Sequence, residues 1–123
     1  MGDPKETRDV PDELFARVAV GRRFATLGAL GECLEAVRRG GGGGRGTLSA
    51  AMLRQGVLTR DDVETVLAIA RAGELDLHYV EDFAIITKIG EGGMGAVYAA
   101  MDVESCELCA VKVLPADKGE FRP

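Results

Sequence analysis

Residues 89–98 read Ile89-Gly-Glu-Gly-Gly-Met-Gly-Ala-Val-Tyr98, and the fold follows from what flanks this glycine-rich stretch. Short apolar runs rich in β-forming residues occupy positions 83–89, 96–101 and 108–114. Runs of this length, separated by short polar or glycine-rich segments, are typical of strands that pair with their neighbours in the chain. We therefore expect three antiparallel strands, with the glycines at the turn between the first two.

The glycines at 90, 92 and 95 have the spacing Gly-x-Gly-x-x-Gly, which occurs in more than one kind of nucleotide site. A dinucleotide-binding fold needs a helix directly after these glycines, because the N-terminus of that helix faces the pyrophosphate. Here residues 96–100 read Ala-Val-Tyr-Ala-Ala and continue as a strand. The pattern favours a glycine-rich hairpin over a nicotinamide- or flavin-binding oxidoreductase.

A second motif lies on the third expected strand. Residues 109–114 read Cys109-Ala-Val-Lys-Val-Leu114, which places Lys112 in an Ala-x-Lys pattern after a polar turn over 102–107. Together with residues 89–98, this motif resembles the first three strands of a bacterial serine/threonine protein kinase. The resemblance extends over residues 79–114, about a third of the chain.

This resemblance implies an ATP site and a role for each motif. Glycines carry no side chain, so the hairpin backbone would lie close over the triphosphate, and Lys112 would place a positive charge at the α- and β-phosphates. Ile89, Val97 and Ala110 would form the apolar roof over the adenine. The implied activity is transfer of the γ-phosphoryl group of ATP to serine or threonine of a protein substrate. The full set of expected ATP-binding residues is Ile89, Gly90, Glu91, Gly92, Gly93, Met94, Gly95, Ala96, Val97, Ala110 and Lys112.

A complete kinase also needs residues for which this sequence has no match. They are a glutamate that holds the lysine, a catalytic-loop aspartate, a nearby asparagine and the aspartate of an Asp-Phe-Gly motif that binds magnesium. Residues 82–84 read Asp-Phe-Ala, but they precede the glycines, and His78 begins His-Tyr-Val rather than His-Arg-Asp. We therefore expect residues 79–123 to form a truncated kinase N-lobe without catalytic or metal-binding residues. This chain alone should be inactive, and Mg²⁺ is expected only in a complete kinase.

Residues 11–74 precede the strands and contain a degenerate repeat. A shift of 33 positions places Thr26 on Thr59, and apolar residues recur three and four apart in both copies. Each copy therefore predicts a helix, a short turn and a second helix. The helix over residues 60–71 has the strongest support, because Thr59 is a good N-cap and acidic residues follow it in the first turn.

The two copies are joined by the glycine-rich residues 40–46. No strand precedes these glycines and no Gly-Lys-Ser/Thr follows them, so a flexible linker is favoured over a phosphate-binding loop. The second copy resembles the helical repeats in the N-terminal domains of type II secretion and type IV pilus ATPases. Some of those domains bind cyclic di-GMP through an Arg-Leu-Gly motif at the start of each repeat. In this chain the corresponding residues 47–49 read Thr-Leu-Ser, so the motif is absent there. We expect this helical module to contact a protein partner or to act as a spacer.

Composition narrows the classes of partner and the compartment. The formal net charge of -5 argues against a nucleic-acid binder, which needs clustered Lys and Arg. No apolar run approaches 18 residues and the polar start reads as neither signal peptide nor membrane span, so we expect a cytoplasmic chain with a flexible N-terminus over 1–10. The odd count of three cysteines predicts reduced thiols, with Cys106 at a turn and Cys109 at the start of a strand.

Taken together, these patterns predict an α+β chain, with an all-helical repeat module at 11–74 and an incomplete kinase N-lobe at 79–123. The helical module should fold alone because its contacts are mostly local, whereas three strands without further cover should be loose. A second interpretation is a non-catalytic regulatory or scaffold protein whose helical module binds a partner.

Overall fold

A computed structural model describes residues 10–114 of the chain. Four helices come first: α1 (Asp12–Gly21), α2 (Leu27–Arg39), α3 (Thr47–Arg54) and α4 (Arg60–Ala72). Four strands follow: β1 (Tyr79–Val80), β2 (Phe83–Gly92), β3 (Gly95–Asp102) and β4 (Leu108–Val113). This arrangement confirms the α+β class.

The helices reproduce the repeat seen in the sequence. A shift of 33 positions carries both ends of α2 onto the ends of α4. Thr26 accepts a hydrogen bond from the Ala29 amide at the start of α2, and Thr59 accepts one from the Asp62 amide at the start of α4. At Thr59 the cap is reciprocal, because the Asp62 carboxylate also accepts from the Thr59 amide.

Residues 40–46 form a loop, as predicted, but this loop is held in place. The Asp12 amide donates to the Gly44 carbonyl at 2.8 Å, and the Gly44 amide donates to Asp12 Oδ2 at 3.0 Å. Gly43 lies so close that an added Cβ would be 2.8 Å from Asp12 Oδ2 and 3.0 Å from Cys106 Sγ. Gly43 therefore allows a tight fit against α1 and the β3–β4 turn, which the sequence pattern alone did not reveal.

The sheet is antiparallel, with the order β1-β2-β3-β4. Three of its strands match the predicted runs at 83–89, 96–101 and 108–114. The prediction of three strands was wrong in number, because Tyr79 and Val80 add a short edge strand against Ala84 and Phe83. Strand β2 carries two irregularities, between Ile85 and Thr87 and between Lys88 and Gly90, which leave Ile86 and Ile89 without a partner on β3.

One apolar core joins the helices to the sheet. Its largest members from the helices include Phe15, Leu30, Leu34, Leu48 and Met52, and the sheet side adds Ile86, Met101 and Cys106. Two arginines reach from the helices to the backbone of the sheet side: Arg38 donates to the Cys106 carbonyl at 2.8 Å, and Arg17 donates to the Ile86 carbonyl at 3.0 Å. The helical layer and the sheet therefore bury apolar surface against each other.

Candidate functional site

The glycine-rich stretch forms the hairpin between β2 and β3. Gly92 pairs with Gly95, so Gly93 and Met94 make the turn at the tip, and the Met94 side chain is 72% exposed. Gly95 has a φ of +117°, and a Cβ at this position would collide with the Val113 carbonyl oxygen and lie 3.1 Å from Leu114 Cα. This geometry admits only glycine at position 95.

The three motif residues with the clearest expected roles lie in one row across the sheet. Val97 pairs with Gly90 on one side and with Lys112 on the other. Residues directly opposite each other in antiparallel strands point to the same face. Val97 and Lys112 therefore share the face over which the Gly90 backbone lies, with no side chain of its own in the way.

Ala110 belongs to the same face. It lies two residues before Lys112 on β4 and pairs with Ala99 of β3, and alternate residues of a strand point to the same side. Because Ala99 and Ala110 each carry only a methyl group, few side-chain atoms project from this part of the face. The sheet thus brings Gly90, Val97, Ala110 and Lys112 together on one face, and their role in ATP binding stays a prediction.

The Lys112 ammonium group is exposed, and within residues 10–114 no hydrogen bond or ion pair holds it. An exposed lysine presents a compact, mobile positive charge on a long apolar stem. At this position the charge is available to an anion on the Val97 face.

The remaining glycines of the hairpin are not required by the chain itself. A Cβ at Gly92 or Gly93 would meet no atom within 4 Å, and one at Gly90 would only reach Val97 Cβ at 4.0 Å. Neither crowding nor a left-handed backbone explains glycine at these three positions. A ligand that approaches the backbone closely would explain it.

Glu91 and Ala96 lie on the opposite face. They pair with each other, one residue out of step with the Gly90–Val97 row. Glu91 Oε1 accepts a hydrogen bond from Lys88 Nζ at 2.8 Å, and this contact raises the pKa of Lys88 and lowers the pKa of Glu91. Only the backbone of Glu91 and Ala96 is therefore available to a ligand on the Lys112 face.

Ile89 sits at the second irregularity of β2 and is 52% exposed, whereas Val97 is half-buried. The expected adenine roof of Ile89, Val97 and Ala110 stays a prediction.

Sequence reasoning did not predict the ion pair between Lys88 and Glu91, although their spacing of three residues could have indicated it. It also missed the hydrogen bond from Arg17 to the Ile86 carbonyl, because no local pattern indicates a contact between residues so far apart in the chain.

Features that would indicate other kinds of site lie elsewhere or are not found in the described part of the chain. Two shallow grooves, of about 570 and 340 Å³, lie on the helical layer and involve no hairpin residue.

Between residues 10 and 114 there is no cluster of three or more His, Cys, Asp or Glu side chains that could hold a metal ion. All three cysteines are free, with Cys106 at the β3–β4 turn and Cys109 on β4, as predicted. Over the same residues, no helix has the length and apolar character needed to cross a bilayer.

Comparison with known proteins gives a short kinase-like similarity. Over 34 residues the chain is 50% identical to the serine/threonine-protein kinase DBF20 of Saccharomyces cerevisiae. The match covers 28% of this chain and 6% of the yeast protein. No family model and no solved structure matches the chain.

Proposed function

We propose that this chain is the ATP-binding N-terminal part of a serine/threonine protein kinase. In a complete kinase of this kind, the γ-phosphoryl group of ATP passes to a protein serine or threonine, with Mg²⁺ held by residues of the second lobe. ATP is the ligand of the hairpin, and the cytoplasm is the compartment that supplies it. The short similarity to a yeast serine/threonine kinase supports this proposal.

The observation that carries the proposal is the row of Gly90, Val97 and Lys112 on one face of the sheet. A bare backbone, an apolar side chain and an exposed ammonium stand side by side there. A nucleotide triphosphate needs these three kinds of surface: apolar contact for the base, close backbone for the phosphates and a positive charge. Gly92 and Gly93, which the chain itself does not require, extend the bare backbone to the tip.

The test is titration of ATP into the full chain, comparing wild type with Lys112→Met. Methionine keeps the apolar stem of lysine and removes the charge, so the variant should bind ATP about tenfold more weakly or worse, as expected for loss of a charge-assisted contact. Lys88→Met is the matched control, because Lys88 lies in the same hairpin but pairs with Tyr98 on the opposite face. Equal loss in both variants, or no binding by wild type, would show that the phosphates are not held at Lys112.

The chain by itself should position ATP without transferring phosphate. The sequence contains no catalytic-loop aspartate and no Asp-Phe-Gly aspartate, and both are needed to orient the hydroxyl and to bind magnesium. Radiolabelled ATP incubated with the chain and a generic protein substrate should label nothing. Robust labelling would place the chemistry in residues other than those proposed here.

A regulatory or scaffold role without catalysis is the second candidate. It is favoured by the core and the arginine contacts that join the helical layer to the sheet. In that case the helical layer would bind the protein partner and ATP would only stabilise the sheet. ATP binding that persists while no associated kinase activity is recovered from cells would favour this role.

A further inference from the structure

A single arginine of the helical layer is attached to the strand that leads into the glycine hairpin. Arg17 Nη1 donates to the Ile86 carbonyl at 3.0 Å, and Arg17 Nε donates to the Asp76 carbonyl at 3.2 Å. One rigid guanidinium thus connects α1, the segment that enters the sheet, and β2. Lysine could not make both contacts with this geometry, because its three N–H donors share one nitrogen, whereas Nη1 and Nε of arginine are separate atoms.

Ile86 is held from two directions. Its side chain is fully buried in the core shared with the helices, and its carbonyl accepts from Arg17. In the ladder, Ile85 pairs with Ala100 and Thr87 with Ala99, so Ile86 is the extra residue of a bulge. A bulge bends its strand and increases the local twist, so whatever fixes the bulge also sets the direction of the strand beyond it.

The glycine hairpin lies directly beyond this bulge. Gly90 follows Ile86 by four residues, about 13 Å along a strand at roughly 3.3 Å per residue. Strand β1 pairs only with Phe83 and Ala84, so within residues 10–114 no strand covers the outer edge of β2 at Ile86. At this position Arg17 hydrogen-bonds the Ile86 carbonyl. Lys112, on β4, is attached to the sheet from the other side.

We propose that Arg17 is a positioning residue for the glycine hairpin, through which the helical layer sets the affinity of the nucleotide site. This inference rests on the proposed function of the hairpin. Movement of α1, for example by a protein bound to the helical layer, would release the Ile86 carbonyl and let the glycines shift relative to Lys112. The helical repeat then regulates ATP binding without touching ATP.

The first readout is amide hydrogen exchange over residues 88–95 in the full chain without nucleotide. Arg17→Met should speed exchange there about fivefold or more, the lower end of typical coupling between sites, and Arg17→Lys should lie between Arg17→Met and wild type. Arg22→Met is the matched control, because Arg22 follows the same helix and its side chain, among the described residues, forms only an exposed ion pair with Glu74. In Arg22→Met the amides of residues 88–95 should exchange at the wild-type rate.

Two exchange results would overturn the inference. One is unchanged exchange at 88–95 in Arg17→Met. The other is an equal increase in α4, at residues 60–72, which would show that Arg17 only stabilises the whole fold. Because Arg17→Lys keeps the charge and one contact, it remains informative if Arg17→Met does not fold.

The second readout is affinity for a fluorescent N-methylanthraniloyl ATP. Arg17→Met should bind about fivefold more weakly than wild type or worse, and Arg22→Met should bind equally well. Equal affinity of Arg17→Met and wild type would overturn the inference while leaving the proposed function intact. If wild type does not bind, the proposed function fails, and the exchange data alone decide whether Arg17 positions the hairpin.

Discussion

Two kinds of glycine occur in the β2–β3 hairpin. Gly95 is required by the chain, since its φ of +117° and the nearby Val113 carbonyl leave no place for a side chain. Gly92 is not required, since an added Cβ would meet nothing within 4 Å. A substitution at each position therefore separates folding from ligand binding.

The first prediction compares Gly95→Ala with Gly92→Ala. Gly95→Ala should lower the free energy of unfolding by about 1–3 kcal/mol, because it combines a disfavoured backbone conformation with a collision. Gly92→Ala should change it by less than about 0.5 kcal/mol but weaken ATP binding. Urea unfolding and ATP titration of both variants check this. Equal stability losses would contradict the distinction.

Tyr79 gives a prediction about alkaline pH. Partial burial, its hydrogen bond to Glu13 at 2.9 Å and the charge of that carboxylate raise the pKa of Tyr79 to about 12, against a small opposing effect of Arg45. The unfolded value is about 10, so the neutral phenol stabilises the fold below pH 10, and this contribution disappears as the pH rises towards 12.

The measurement is the stability difference between wild type and Tyr79→Phe as a function of pH. Wild type should be slightly more stable at pH 8, and the difference should shrink between pH 10 and 12. Absorbance of the phenolate, taken as wild type minus variant, should show a midpoint near 12. A midpoint near 10 would mean that Glu13 does not hold the hydroxyl.

At the scale of helices and strands, local patterns predicted most elements. Helix α4 was found from the Thr59 cap and its acidic first turn, and strands β2 to β4 from short apolar runs around the glycines. Strand β1 escaped prediction because two residues form no periodic pattern. Tyr79 and Val80 form a strand only because they pair with Ala84 and Phe83 of β2.

Part of the candidate site was predictable for a different reason. Glycine spacing and the Ala-x-Lys pattern are short and local, so they singled out Gly90, Val97, Ala110 and Lys112 as candidates, and their binding of ATP stays a prediction. The contacts of Arg17 with Ile86, and of Asp12 with Gly44, join residues far apart in the chain. One sequence contains no signal for such a pair, because neither residue type is unusual where it stands.

The caps of α4 give a prediction for one element. Thr59→Ala removes the acceptor for the Asp62 amide and should lower the free energy of unfolding by about 1 kcal/mol. Thr65→Ala in the same helix is the control. Within residues 10–114 its exposed hydroxyl donates only to the Asp61 carbonyl, and alanine has the higher helix propensity. Thermal unfolding followed by circular dichroism should separate the two, and equal losses would argue against the capping box.

For the whole molecule, the shared core changes an expectation drawn from the sequence. Local contacts led us to expect a helical module that folds alone and a loose sheet. Ile86 and Met101 are instead buried with residues of the helices, and Arg17 and Arg38 hydrogen-bond the sheet-side backbone. We now expect helices and sheet to unfold together.

The chain contains the probes needed to test this. It has no tryptophan, and its two tyrosines lie in β1 and β3, so tyrosine fluorescence reports on the sheet while circular dichroism at 222 nm reports mainly on the helices. Both signals should show one urea midpoint. Ile86→Ala should lower both midpoints together, with a loss of about 2–5 kcal/mol. Separate midpoints would show that the two parts are independent.

The order of strands in the sheet also has a consequence for synthesis. Because β1, β2, β3 and β4 are neighbours in the same order as in the chain, each strand can pair with the one made just before it. The four helices leave the ribosome earlier and are ready to cover Ile86 as soon as β2 emerges. Vectorial assembly from the N-terminus would therefore leave little apolar sheet surface open to aggregation at any stage.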